Sequence, residues 1–118
     1  MREPLPKVAR QVKLDASPHQ VWAYLVNGEL ATLWMGGAMT IDARRGGRVS
    51  LHPAGGPEVF GTVEEIIPGR RIVWSWRTKE GEPTQVVLEM EEAGPGCVLA
   101  VSEELIPYEI VVIPPVVA

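Results

Sequence analysis

The stretch VWAYLVNGELATLWMGG, Val21 to Gly37, decides the fold that the sequence predicts. It contains two short apolar runs separated by Asn27-Gly28, with large side chains at the spacings of a helix face. Ser17-Pro18-His19-Gln20 precedes the first run and is typical of a helix start. A serine there can accept a hydrogen bond from a free amide, and a glutamine three residues later can complete a capping box.

The first helix is therefore predicted to run to Asn27-Gly28, a pair that tolerates the left-handed geometry of a helix end. A second helix is predicted from about 29 to 34, ended by Gly36-Gly37. Helices this short are unstable alone in water, so tertiary packing must hold them. We expect Trp34 near the mouth of a cavity and four other side chains packed on a sheet: Trp22, Leu25, Leu30 and Leu33.

The remaining segments alternate apolar and polar residues, which is typical of strands with one buried face. The first strand is predicted at Lys7 to Asp15. Six more are predicted after Gly37, at about 38–43, 47–52, 58–67, 71–78, 84–92 and 97–104. Glycine- and proline-rich turns separate these six, so we expect an antiparallel meander.

The predicted fold class is α+β, a curved seven-stranded antiparallel sheet with two short helices after the first strand. A sheet with one apolar face must cover that face. Two helices of about four turns cannot cover seven strands. Either a further element covers the rest of the face, or part of the face stays open as a pocket.

Composition limits the classes of function. A chain of 118 residues predicts one domain, and a net charge of −4 argues against nucleic acid as a partner. Cys97 is the only cysteine, which excludes an internal disulfide and a thiolate metal cluster. No run has the length of a signal peptide or a membrane span. We expect a soluble cytoplasmic protein that binds neither membrane nor metal.

Several short motifs occur in an order that is itself informative. They are Ala16-Ser17-Pro18 with Val21-Trp22, Leu30 to Trp34 with Gly36-Gly37, Asp42 to Arg48, Gly61 to Glu64, Arg71 to Trp76, and Gly94 to Val101. Over residues 8–105 the chain resembles the START-like, helix-grip (SRPBCC) superfamily. Within it, the chain is similar to the bacterial relatives of the protein that activates the ATPase of the ninety-kilodalton heat-shock chaperone. The resemblance implies a single START-like domain over residues 1–118.

The resemblance also implies a curved sheet wrapped around a long carboxy-terminal helix, with a cavity between them. Family members bind apolar ligands, modify polyketides or act on chaperones, so the fold leaves the function open. This chain departs from the pattern after Leu105, because the apolar segment 106–118 contains three prolines and cannot form the long helix. We expect this tail to lie extended on its own sheet or on a second copy, which would make a homo-oligomer.

Candidate catalytic groups are few. We expect both histidines, His19 and His52, to be exposed, and no cofactor or metal-binding pattern is present. Glu103 shares a strand face with Leu99 and Val101, so it either lies at the rim of the apolar face or reaches water where the strand frays. At the rim it could orient a ligand or act as an acid or base.

Large apolar side chains supply the other candidates for a ligand site. Tryptophan has a polar edge and methionine adapts to irregular shapes, so both suit a pocket wall. A plain hydrophobic core is the alternative for each of them. The predicted lining residues are Trp34, Met35, Met39, Phe60, Trp76, Met90 and Glu103.

The sequence is compatible with three functions. The first is non-catalytic binding of a small apolar or aromatic molecule on the concave face of the sheet. The second is a protein interaction of the chaperone-activator type. The third is a cyclase- or hydrolase-like enzyme that uses a polar group such as Glu103.

Overall fold

The computed structural model describes residues 7–106. Two helices and seven strands follow one another in the predicted order, strand first, then both helices, then six strands. The elements are β1 Lys7–Leu14, α1 Pro18–Val26, α2 Gly28–Thr32, β2 Gly37–Ile41, β3 Arg48–Pro53, β4 Val59–Ile67, β5 Arg71–Thr78, β6 Thr84–Ala93 and β7 Gly96–Leu105.

The seven strands form one curled antiparallel sheet in the order β1-β7-β6-β5-β4-β3-β2. Strands β2 to β7 are a meander, and β1 joins its end by pairing with β7 from Lys7–Glu104 to Leu14–Cys97. The α+β, helix-grip-like fold class is confirmed. The predictions for the tail and for a homo-oligomer concern residues 106–118, of which all but Ile106 lie outside the described residues.

Helix α1 begins as its sequence predicts. The Gln20 amide donates to Ser17 Oγ at 3.2 Å, and the Ser17 amide donates to Gln20 Oε1 at 3.0 Å. These two bonds form the capping box and satisfy amides that the first turn leaves unpaired. Val21 and Leu25 are the buried residues of this helix.

The junction between the helices differs from the prediction. Asn27 is extended (φ −104°), not left-handed, and its Oδ1 accepts from the Leu30 amide at 3.1 Å. The residue expected to end α1 therefore also caps the start of α2. Helix α2 ends at Thr32, two residues before the predicted end, and the expected packing of Leu33 is wrong because that side chain is 72% exposed.

Helix α2 lies directly on the edge strand β2. Thr32 Oγ1 accepts from the Met39 amide at 2.9 Å and donates to the Gly28 carbonyl at 2.8 Å. A Cβ at Gly28 would lie 2.8 Å from the Met39 carbonyl oxygen, so the close approach requires glycine. Thr32 thus pairs a backbone amide that the free edge of the sheet would otherwise expose.

The core lies on the inner face of the curled sheet, which is the face that the helices cover. Trp74 and Trp76 meet edge to face, with centroids 5.5 Å apart and planes at 64°. The buried side chains of this face are Met39, Val49, Leu51, Val63, Ile72, Trp74, Trp76, Val86, Leu88, Met90, Cys97 and Leu99. No helix within residues 7–106 is long and apolar enough to cross a membrane.

Removing the Thr32 hydroxyl should weaken the helix–edge contact. We expect Thr32→Val to lower the free energy of unfolding by about 1–2 kcal/mol, because the Met39 amide loses its partner. Thr62→Val is the matched control, since Thr62 is an exposed strand residue on the outer face. Urea denaturation of both variants tests this expectation, and equal stability of the two would contradict it.

The loss of stability on truncating a tryptophan should depend on how deeply its side chain is buried. Trp76 is 7% exposed and Trp34 is 40% exposed. We expect Trp76→Ala to lower the free energy of unfolding by about 3–5 kcal/mol, as for other buried aromatic truncations. Trp34→Ala should cost about 1 kcal/mol, because its ring is packed on one side only. Chemical denaturation measures both values, and similar losses would place the two rings in equivalent surroundings.

Candidate functional site

An apolar cavity of about 440 Å³ opens between α1 and the outermost two strands of the sheet, β1 and β7. Almost all the surface that lines it is carbon. The lining residues are Val12, Leu14, Asp15, Ala16, Val21, Tyr24, Leu25, Trp34 and Leu99. Sites for small molecules are commonly concave, largely apolar and of roughly 300–1,000 Å³.

Trp34 forms one wall of this cavity. It follows α2, and its indole Nε1 donates to the Tyr24 carbonyl of α1 at 2.8 Å. That bond fixes the ring across the two helices while the ring surface remains partly in water. The indole ring thus presents an apolar surface to the cavity, while its only polar atom is already hydrogen-bonded.

The inner face of β1 and β7 is less covered than the rest of the sheet. Val12 is 45% exposed, and Val101 on the neighbouring strand is half-buried. By contrast, the inward side chains in the middle of β5 and β6 are buried. Helix α1 packs on β6 and α2 packs on β2, and α1 faces β1 across the cavity. We call the inner face of β1 and β7 the open strip.

Glu103 lies at the far end of the open strip. Its Oε2 accepts from Trp76 Nε1 at 2.9 Å and from Thr84 Oγ1 at 2.6 Å. Strand β7 continues to Leu105, so the strand does not fray before this residue. The side chain is half-buried on the inner face, opposite Val86 of β6 and Val8 of β1.

The structure separates the predicted lining residues into several places. Met39, Trp76 and Met90 are buried members of the core, and Met35 is a half-buried neighbour of it. Phe60 lies on the outer face, opposite Ser50 and Arg77. Of the predicted set, the open strip and its cavity contain Trp34 and Glu103.

Sequence reasoning did not select Val12, Leu14 or Tyr24 as lining residues. Alternation places Val12 and Leu14 on the apolar side of the first strand, which is the signal that could have found them. Their role depends on β1 pairing with β7, which brings Val12 opposite Leu99. Tyr24 lies three residues after Val21, one helical turn away, and so shares its side of α1.

The other candidate catalytic or metal-binding side chains of the described residues are the two histidines and the acidic groups. His52 Nε2 lies 3.2 Å from Glu58 Oε2, and both side chains are largely exposed. His19 is exposed in the first turn of α1. Within residues 7–106, no group of three or more His, Cys, Asp or Glu side chains is arranged to hold a metal ion.

Comparison with solved structures supports the fold assignment. CalU16 from Micromonospora echinospora aligns over 88% of this chain with a TM-score of 0.72 and 22% identity. An HSP90 activator from Plasmodium falciparum, PFC0360w, aligns over 86% of this chain and 74% of its own, with a TM-score of 0.70 and 21% identity. The Aha1 dimer from Colwellia psychrerythraea gives a TM-score of 0.72 at 15% identity, over 87% of this chain and 78% of that one.

These identities establish similarity of fold alone. The chain spans 63% of CalU16 and 38% of DynU16, a protein of the dynemicin biosynthetic locus. No curated protein matches the sequence. The family model described as Activator of Hsp90 ATPase homolog 1-like protein matches residues 15–112. The match covers most of the chain and confirms the predicted resemblance, so this protein belongs to the Activator of Hsp90 ATPase homolog 1-like family.

Proposed function

We propose that this protein binds one small apolar or aromatic molecule, without catalysing a reaction, in the cavity between α1, β1 and β7. The observation that carries the proposal is the apolar lining of that cavity together with its exposure. Val12 and Trp34 leave 45% and 40% of their surfaces in water although both line the same concavity.

Exposed apolar groups gathered in one concave place are a hydrophobic patch that a ligand can cover. Burial of such surface releases about 25 cal/mol per Å². The indole hydrogen bond of Trp34 and the cap of α1 hold the walls in place before any ligand arrives, which limits the entropy lost on binding.

A neutral aromatic dye tests this proposal. N-phenyl-1-naphthylamine should bind the wild-type chain with one-to-one stoichiometry and an increase in dye fluorescence. Val12→Glu should weaken that binding at least tenfold, because it places a carboxylate in the apolar cavity.

Gln11→Glu is the matched control for that variant. Gln11 is the preceding residue, is exposed and faces the outer side of the sheet, and its substitution makes the same change in net charge. It should leave dye affinity unchanged. Equal affinity of Val12→Glu and Gln11→Glu would remove the cavity as the binding site.

A chaperone-directed function is the second candidate, and family membership favours it. The relatives include a protein described as an HSP90 activator. Under the ligand-binding proposal, adding this chain to an Hsp90-type chaperone leaves the ATP turnover unchanged. Stimulation that persists in Val12→Glu would favour the second candidate, because it would place the active surface outside the cavity.

A cyclase- or hydrolase-like enzyme has less support. Its candidate polar group, Glu103, is bonded to Trp76 and Thr84. His52 pairs with Glu58, and Cys97 is buried at the opposite end of β7. Within the described residues, Glu103 therefore has no histidine or thiol beside it to complete an acid–base or nucleophilic set.

A further inference from the structure

Glu103 is a half-buried carboxylate whose hydrogen-bond partners are both neutral. Trp76 and Thr84 donate to the same oxygen, Oε2. Among the described side chains, none donates to Oε1 and no cationic group lies within ion-pair distance of the carboxylate. Removing a carboxylate from water is costly unless charge and hydrogen bonds compensate. Within the described residues, Oε1 therefore keeps its acceptor capacity and the carboxylate has no cationic partner.

Arg10 is the described cation nearest in register on this face. It pairs with Val101, one inward position away from Glu103, and its side chain is exposed. It forms no direct ion pair with Glu103. Within residues 7–106, the carboxylate at the end of the open strip thus has no cationic partner and can accept from a donor that approaches along that strip.

The open strip connects Glu103 with the apolar cavity. Leu99 lines the cavity and Glu103 is four residues further along the same strand, on the same face. At about 3.3 Å per strand residue, the separation is about 13 Å. Val101 lies between them and is half-buried, so the path is apolar along β7, while the exposed Arg10 borders it on β1.

We propose that Glu103 selects the ligand, and that the preferred ligand is an elongated apolar molecule with a primary ammonium group at one end. This inference rests on the proposed function, because the apolar end of the molecule would occupy the cavity beside Trp34. A carboxylate only accepts hydrogen bonds, so it requires a donor. An ammonium group supplies that donor and the missing positive charge together.

Three matched ligands test the selection. They are 1-phenylhexane, 6-phenyl-1-hexanol and 6-phenylhexylamine, which share a phenyl group and a chain long enough to span the open strip. Their affinities are measured by displacement of N-phenyl-1-naphthylamine. Glu103→Gln should weaken binding of the amine about tenfold and leave the hydrocarbon unchanged, because a charge-assisted hydrogen bond is lost.

Glu104→Gln is the control. Glu104 is the next residue, faces the outer side and makes the same change in net charge. It should alter neither affinity. Glutamine at 103 keeps a side-chain oxygen that can accept from Trp76 and Thr84, and the urea midpoint of each variant verifies folding.

A second measurement uses the wild-type chain alone. The advantage of the amine over its hydrocarbon should appear for the phenylhexyl pair and disappear for 3-phenylpropylamine and propylbenzene, which are too short to reach Glu103 from the cavity. If all ligands fail to bind, the proposed function and this inference both fall. If the hydrocarbons bind but Glu103→Gln and Glu104→Gln treat the amine alike, or chain length does not matter, this inference alone is overturned.

Discussion

Thr32 and Gly28 of α2 contact Met39 of β2 and so fix both helices on the sheet. The arrangement of the rest of the inner face depends on this contact. Thr32 pairs with the edge amide of β2, and glycine at 28 lets the backbones approach closely. Because α1 and α2 are joined by the single cap residue Asn27, fixing α2 on β2 also fixes the path of α1 across the sheet. The position of Trp34 against Tyr24 follows from the same contact.

Curling of the sheet determines which part of the inner face stays open. Gly61 allows it in the middle of β4, where a Cβ would lie only 1.8 Å from the Ser75 carbonyl oxygen. Inward side chains on β3 to β6 bury one another as the sheet curls. Strand β1 is an edge strand that pairs with β7, and the cavity separates it from α1. The open strip is thus a consequence of too little helix on a one-sided sheet.

Local sequence signals predicted the elements well, and the errors occurred at helix ends and where a contact is distant in sequence. The capping box of Ser17 and Gln20 and the turns between strands are local, and alternation also placed Glu103 on the inner face. Leu33 was predicted to pack because it continues an apolar spacing, but the helix ends before it. Phe60 was predicted to line the pocket, yet its side is set by strand register, which composition does not reveal. Val12 entered the site only through pairing of the first and last strands.

The two faces of the sheet differ in the free energy that a partner would gain by binding to them. On the outer face, Arg71 is bonded to Glu65 and Glu89, and these bonds raise the pKa of its guanidinium. Glu64 accepts from Ser75 and Gln85 on the same face. A partner that bound these groups would have to replace hydrogen bonds already made, for little net gain. The open strip instead presents apolar side chains such as Val12 in water, so covering that apolar surface releases free energy without breaking a contact within the described residues.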